Sequence, residues 1–177
     1  MQIRELDYSW KGISFLFRYT TSHHYLVSIS RMPADIHIQL KREALPEPLV
    51  KSFESSLYSG WLTDPKDFGA FDEEKLLGFI ELSLEDWNNR LRIANIWVDE
   101  DHRCQGIGKA LIAKAIETAK AAGQRALVLE TQSCNDPAIS FYQSCGFELI
   151  GLDTTHYNND DIQRGEVRLE FGMSLSV

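Results

Sequence analysis

The feature that most constrains the fold is a strand–helix–strand unit placed behind a run of strands. From Ile107 the apolar positions Ile107, Leu111, Ile112, Ala115, Ile116 and Ala119 follow helical spacing. The flanking stretches "LRIANIWV" and "RALVLET" are apolar and β-rich, so both read as strands. A helix joining two such strands sets them parallel, because antiparallel neighbours need only a short turn. Gly123 stands where the helix should end. Residues 93–131 therefore predict one βαβ crossover.

The segments around it predict antiparallel strands. Residues 68–71 and 76–84 are two strands joined by the acidic turn "DEEK". In the second, Gly78, Ile80, Leu82 and Leu84 share one face, and Phe79, Glu81 and Ser83 the other. "EDWNNR" turns the chain into the strand before the crossover. Residues 13–18 and 25–31 predict two strands with "TTSHH" as their turn, and Ile36, Ile38 and Leu40 a half-buried strand. Leu49, Phe53 and Leu57 recur every four residues behind Pro48, which predicts a short helix. "NDPAISFYQSCG" predicts another, with Asn135 or Asp136 as its cap and Pro137 in its first turn. Strands at 147–152 and 167–175, joined by the loop "NNDDIQRG", close the chain. The expected class is α/β (α+β), a mixed, mostly antiparallel sheet in a single domain over residues 1–177.

Composition narrows the partners. The chain has 177 residues and a formal charge of −8. An acidic balance argues against nucleic acid and anionic membranes and favours a cationic substrate. No run of ~18 apolar residues occurs, so no membrane span is expected. The charged N-terminus lacks a signal-peptide core, which predicts a cytoplasmic protein. Cys104, Cys134 and Cys145 form no C-x-x-C and have no His at zinc-finger spacing, so free thiols and no metal site are expected.

Glycines 106 and 108 open the central helix, as they do where a helix N-terminus meets an anion. A triphosphate loop is excluded, because Ala110 follows Lys109 where that loop needs Ser or Thr. A dinucleotide fingerprint fits poorly. Leu111 takes the place of its third glycine, and seven residues, Asp99 to Gln105, separate strand from glycine where that motif turns tightly.

"RCQGIGKAL" instead resembles R-x-x-G-x-G, the pyrophosphate loop of the GNAT family of acetyl-CoA-dependent N-acetyltransferases. "NDPAISFYQSCGF", in order and across an intervening strand, resembles that family's second signature. The likeness covers residues 67–152 well; residues 1–40 match poorly. Within the family, "FGAFDEEKLLGFIEL", "WNNRLRIANIWV", "LETQSCNDPAISFYQSCGF" and "GLDTTHY" are similar to the streptothricin acetyltransferase group.

The resemblance implies a GNAT fold with a central splayed parallel strand pair and helices on both faces. It implies acetyl-CoA as co-substrate and no metal. Backbone groups of Ile96, Trp97 and Val98 would pair with the pantetheine arm. Arg103, Cys104, Gln105, Gly106, Ile107, Gly108 and Lys109 would line the pyrophosphate, the glycines letting backbone approach phosphate. Asn135 and Ala138 would hold the arm at the start of the next helix. Tyr142 would protonate the leaving thiolate, and the Val98 N–H would meet the oxyanion.

The acceptor must be a neutral amine, and a lysine-type ammonium is neutral in only about one molecule in 2500 at pH 7. A base is therefore needed. Glu81 is the first candidate; Glu130 or a water are the others. The three cysteines stand in no nucleophile–His pattern, so direct transfer is expected rather than an acetyl-cysteine.

The subgroup implies the β-lysine amine of streptothricin as acceptor and antibiotic resistance as the outcome. Asp72, Glu73, Glu85, Asp86 and Asp153, with Trp87 for stacking, are candidates to receive such a cation. Other amines (a polyamine, an aminoglycoside, a protein amine) and a non-catalytic acyl-CoA sensor are the alternatives. The chain is expected as a monomer or homodimer.

Overall fold

Helical spacing and a left-handed glycine at each end delimit the central helix of this computed structural model, which describes residues 1–175. The chain runs β1 (Gln2–Leu6), β2 (Ser14–Arg31), β3 (Ile36–Ser56), β4 (Lys66–Asp72), β5 (Lys75–Glu85), β6 (Arg90–Val98), α1 (Ile107–Ala121), β7 (Ala126–Gln132), α2 (Asp136–Ser144), β8 (Glu148–Asp153), α3 (Asp161–Arg164) and β9 (Arg168–Ser174). Gly106 (φ 85°) caps α1, and Gly123 (φ 68°) follows it. Both angles suit glycine because no Cβ meets the preceding carbonyl. Two compact units share the described chain: residues 1–17, 54–129 and 172–175, and residues 18–53 and 130–171.

The first unit holds strands in the order β1–β4–β5–β6–β7. Neighbours are antiparallel from β1 to β6, while β6 and β7 run parallel. The parallel register covers Arg90↔Ala126 through Ile93↔Leu129. Here α1 buries Ile107, Leu111, Ile112, Ala115 and Ala119, the predicted face, against β4, β5 and β6. A second cluster of Leu6, Leu57, Tyr58, Phe71 and Phe79 takes in Trp10, Phe15 and Trp97 at its rim. Strand β1 escaped the sequence reading; it is a five-residue strand laid along β4.

The second unit carries most of the β2–β3 ribbon, α2, β8, α3 and most of β9. Three expectations fail here. "TTSHH" is no turn: β2 runs through it, and the chain reverses at Met32–Asp35, where each backbone N–H donates to the other's carbonyl (2.9 and 3.3 Å). Thr and His extend as readily as their neighbours, so nothing breaks the strand. The helix expected around Leu49 is the far half of β3. A two-stranded ribbon leaves one edge of β3 unpaired, and residues two apart turn their N–H to the same edge, so Pro46 and Pro48 fit there. "NNDDIQRG" contains the single turn α3, closed by Gly165 at φ 67°.

Candidate active site

The residues predicted to meet acetyl-CoA along β6 and in the glycine loop lie in the first unit. Beyond Ile93↔Leu129 the parallel ladder stops, while β6 keeps its β5 partners through Ile80↔Ile96, Phe79↔Trp97 and Gly78↔Val98. Ile96, Trp97 and Val98 thus have one edge held by β5 and, among the described residues, no strand paired in register on the other. Gly78 permits this spacing: a Cβ there would sit 2.7 Å from the Trp97 carbonyl oxygen and 3.3 Å from Ile107 Cγ2. Trp97 stacks on Phe79 (5.8 Å between centroids) and donates its Nε1–H to Leu16 O at 3.0 Å.

Next to it comes the glycine loop. Among the described residues, no backbone acceptor outside the helix meets the amides from Cys104 to Lys109. These are the orphan donors of a helix N-terminus and its approach, and with the helix dipole they form an anion cradle. Cys104 takes φ 60°, a left-handed angle that costs an L-residue about 1–2 kcal/mol. Arg103 folds back, its Nε–H reaching Val98 O at 3.3 Å, so its guanidinium sits beside the end of β6. Gln105 donates to Asp101 O at 3.2 Å, and Lys109 is exposed.

The remaining predicted residues lie in the second unit. Asn135 is the cap of α2: its Oδ1 accepts from Ala138 N at 3.3 Å, which leaves its amide N–H groups for other partners. Arg42 holds neighbouring Asp136 through two bonds, at 2.7 and 3.0 Å. Tyr142 is buried between Phe141 and Phe147. Burial first, then the Glu130 charge and Cys145, raise its phenol pKa, so it stays protonated, as a donor must. Glu130 accepts from Tyr157 Oη at 3.0 Å and faces Arg168 at 3.8 Å. Tyr19 reaches Gln132 Oε1 at 3.2 Å and Cys134 Sγ at 3.5 Å.

Glu81 does not lie open to an acceptor. Its carboxyl is fully buried in the first unit, accepting from Tyr58 N at 2.7 Å and Asn95 Nδ2 at 2.6 Å. Burial raises its pKa, and those two donors oppose the rise. Nothing local in the sequence marks Asp67, Asn95, Tyr19 or Tyr157 as neighbours of candidate residues; only the folded strands bring them there.

The acidic candidates scatter. Glu85 is bound to Arg90 and Arg92, the former at 2.6 Å. With Asp86, Trp87 and Trp61 it borders a groove at the β5–β6 turn. Arg92 also lines that groove, near the end of β6 opposite Val98. Asp72 and Glu73 stand at the other end of β5. Asp153, in the second unit, accepts from Thr155 N at 2.9 Å.

Among the described residues Cys104, Cys134 and Cys145 form no disulfide, and no group of His, Cys, Asp and Glu could hold a metal ion. Among the described residues, no helix is long and apolar enough to cross a membrane.

Residues 35–147 match the model of the acetyltransferase (GNAT) family. Over 137 residues, 76% of each protein, the chain is 32% identical to a streptothricin acetyltransferase of Escherichia coli. A streptothricin acetyltransferase of Streptomyces lavendulae is 42% identical over 82 residues, 46% of this chain; the match spans less than half, 43%, of that relative's length. Among solved structures, a nourseothricin acetyltransferase superposes with a TM-score of 0.80 at 30% identity, covering 99% of this chain and 98% of that one. A putative streptothricin acetyltransferase from Bacillus anthracis, solved with acetyl coenzyme A, gives 0.69 at 27% identity over 98% and 99%.

Proposed function

Because this chain belongs to the acetyltransferase (GNAT) family of acetyl-CoA-dependent N-acetyltransferases, we propose that it acetylates the β-lysine amine of streptothricin and so confers resistance to that antibiotic. One observation carries the acceptor: the likeness to a nourseothricin acetyltransferase extends over 99% of the chain. The donor rests on the edge of residues 96–98 that no described strand pairs in register, beside the unpaired amides of the glycine loop.

The residues fit acetyl-CoA, which supplies an activated acetyl thioester. Amides from Cys104 to Lys109, with the charges of Arg103 and Lys109, hold the pyrophosphate. The backbone of Ile96, Trp97 and Val98 pairs with the amides of the pantetheine arm, as one strand pairs with another. Asn135, its Oδ1 already used on Ala138, keeps its N–H groups for a carbonyl of the co-substrate.

Chemistry then needs three services from the chain. The Val98 N–H steadies the oxyanion. Tyr142 gives its phenol proton to the departing sulfur. The amine must lose a proton, and Glu130, exposed on β7 and oriented by Tyr157 and Arg168, is the carboxylate to take it. Buried Glu81 acts on the reaction at a distance, through Asn95.

Purified protein, acetyl-CoA and streptothricin should yield a monoacetylated product by mass spectrometry, with CoA thiol released in equal amount. Kinetics should be those of a ternary complex. Binding of acetyl-CoA without change to streptothricin would overturn the acceptor and leave the family; a panel of polyamines, aminoglycosides and peptides would then find the amine used. Failure to release thiol with every amine would favour a sensor.

A further inference from the structure

Asp67 and Glu81 lie directly opposite each other across β4 and β5, and both are fully buried. Two carboxyls in one dry site cannot both ionise without a cation between them. Among the described residues, neither forms an ion pair with Lys, Arg or His. On this face of β1 the charged residue is Arg4, which turns away over the ring of Phe71 and donates to the Glu73 carbonyl; Glu5, on the other face, and Asp7, in the turn after β1, are acidic. Lys114 of α1 lies over the ring of Phe68, whose side chain alternates to the other face of β4. From β6 come neutral Asn95, bonded to Glu81, and Arg92, which stands opposite Ser83 and binds Glu85. A proton is the neutraliser left.

The hydrogen bonds say where it sits. Glu81 has two N–H donors, Tyr58 N and Asn95 Nδ2, which favour its charged form. Both oxygens of Asp67 lack a donor in normal hydrogen-bond geometry, and of the nearby amides only that of Leu82 favours its charged form. Asp67 is therefore the protonated member, and its O–H points to Glu81.

Glu81 in turn grips β6 at an irregular point. Register slips between Glu81↔Asn95 and Leu82↔Ile93, so Ala94 bulges out of the ladder. The Asn95–Glu81 bond holds the residue just after the bulge, and Ile96–Val98 follow at once. We propose that Asp67 and Glu81 share a single proton and act as a positioning pair, fixing Asn95 and the bulge and, through them, the donor-strand edge at residues 96–98. This rests on the reading of that edge as the acetyl-CoA strand. Burial, and then the charge of Glu81, push the Asp67 carboxyl up to about 8, so the pair opens near the alkaline end of the working range.

The test compares the protein with its Asp67→Asn variant, both carrying Cys104→Ser so that the pyrophosphate loop holds no thiol. Asparagine donates to Glu81 as the protonated acid does but cannot lose that proton. Acetyl-CoA affinity is measured by calorimetry from about pH 7 to about 9.5. With Asp67 present it should weaken roughly tenfold, the size of one lost charge-assisted hydrogen bond, with a midpoint near 8. With asparagine it should stay flat.

A melting arm reads the same proton. The folded pair holds its proton above the ordinary carboxylate pKa of about 4, so stability relative to the variant should drain away as pH rises from about 4 to about 8. Superposable profiles for the two proteins in both arms would overturn the proposal. If the asparagine variant does not fold, Glu81→Gln removes the charge that helps to raise Asp67, so the midpoint should move to lower pH, and an unmoved midpoint would overturn the pair. Absence of acetyl-CoA binding at every pH would overturn the proposed function, and the positioning role with it; the melting arm would still decide whether the proton is shared.

Discussion

Tyr157 donates its phenol hydrogen to Glu130 across 3.0 Å. The two residues come from "GLDTTHY" and "LETQSC", which in sequence stand apart as separate likenesses to one subgroup. Arg168 adds a looser contact at 3.8 Å, so the phenol fixes the orientation of the carboxylate. If Glu130 receives the amine's proton, Tyr157→Phe should lower kcat several-fold. A hydrogen bond to a partly exposed charge contributes about 1 kcal/mol, roughly fivefold in rate. Steady-state kinetics should show an unchanged KM for acetyl-CoA. A raised KM with normal kcat would remove the pair from the proton path.

Tyr142→Phe isolates the acid. The ring packs against Phe141 and Phe147, and phenylalanine fills the same space, so the melting temperature should hold. Turnover should fall about 100-fold, the usual scale of a missing general acid, while acetyl-CoA still binds. A thioester with a better leaving group should recover part of the rate, since it needs the proton less.

In the loop, Gly106 and Cys104 both adopt left-handed angles, φ 85° and 60°. Gly106→Ala would take on about 1–2 kcal/mol of backbone strain and add a Cβ where phosphate approaches. Acetyl-CoA affinity should fall roughly tenfold. Cys104→Gly removes strain and should keep the affinity, whereas Cys104→Val, β-branched at a positive angle, should lose it. Calorimetry on the three variants gives the order.

These residues were legible because their signals are local. A glycine pair before a helical pattern, and Asn135–Pro137 before another, mark turn and cap within a few residues. The β2–β3 ribbon was not: Leu49, Phe53 and Leu57 are four apart, a spacing that one face of a helix and one face of a strand both satisfy. Pro48 then favoured the helix, because an open ribbon edge cannot be seen in sequence. Glu81 was found as a residue type but not as an environment. Its burial follows from Asp67, Tyr58 and Asn95, which only strand pairing brings to it.

Gly78 tests how β5 sets the donor edge. Its missing Cβ lets the Trp97 carbonyl and Ile107 approach. Gly78→Ala must push β6 or α1 away, at a cost of about 1–3 kcal/mol for overpacking. The melting temperature should drop, and the acetyl-CoA KM should rise more than kcat falls. A stable variant with normal KM would mean that β6 yields without disturbing residues 96–98.

Glu85 separates a structural carboxylate from a substrate-binding one. Burial raises its pKa, but the bonds and charges of Arg92 and Arg90 outweigh that and hold it below the ordinary range. A depressed folded pKa means stability that is present above the unfolded value, about 4.3, and lost as pH falls through the folded value. Glu85→Gln should therefore melt below the parent protein at neutral pH, and the gap should close in acid. Since both its oxygens already serve arginines beside the groove at the β5–β6 turn, the KM for streptothricin should not move. A KM that rises severalfold in this variant while the melting gap stays small would make Glu85 part of the acceptor site instead.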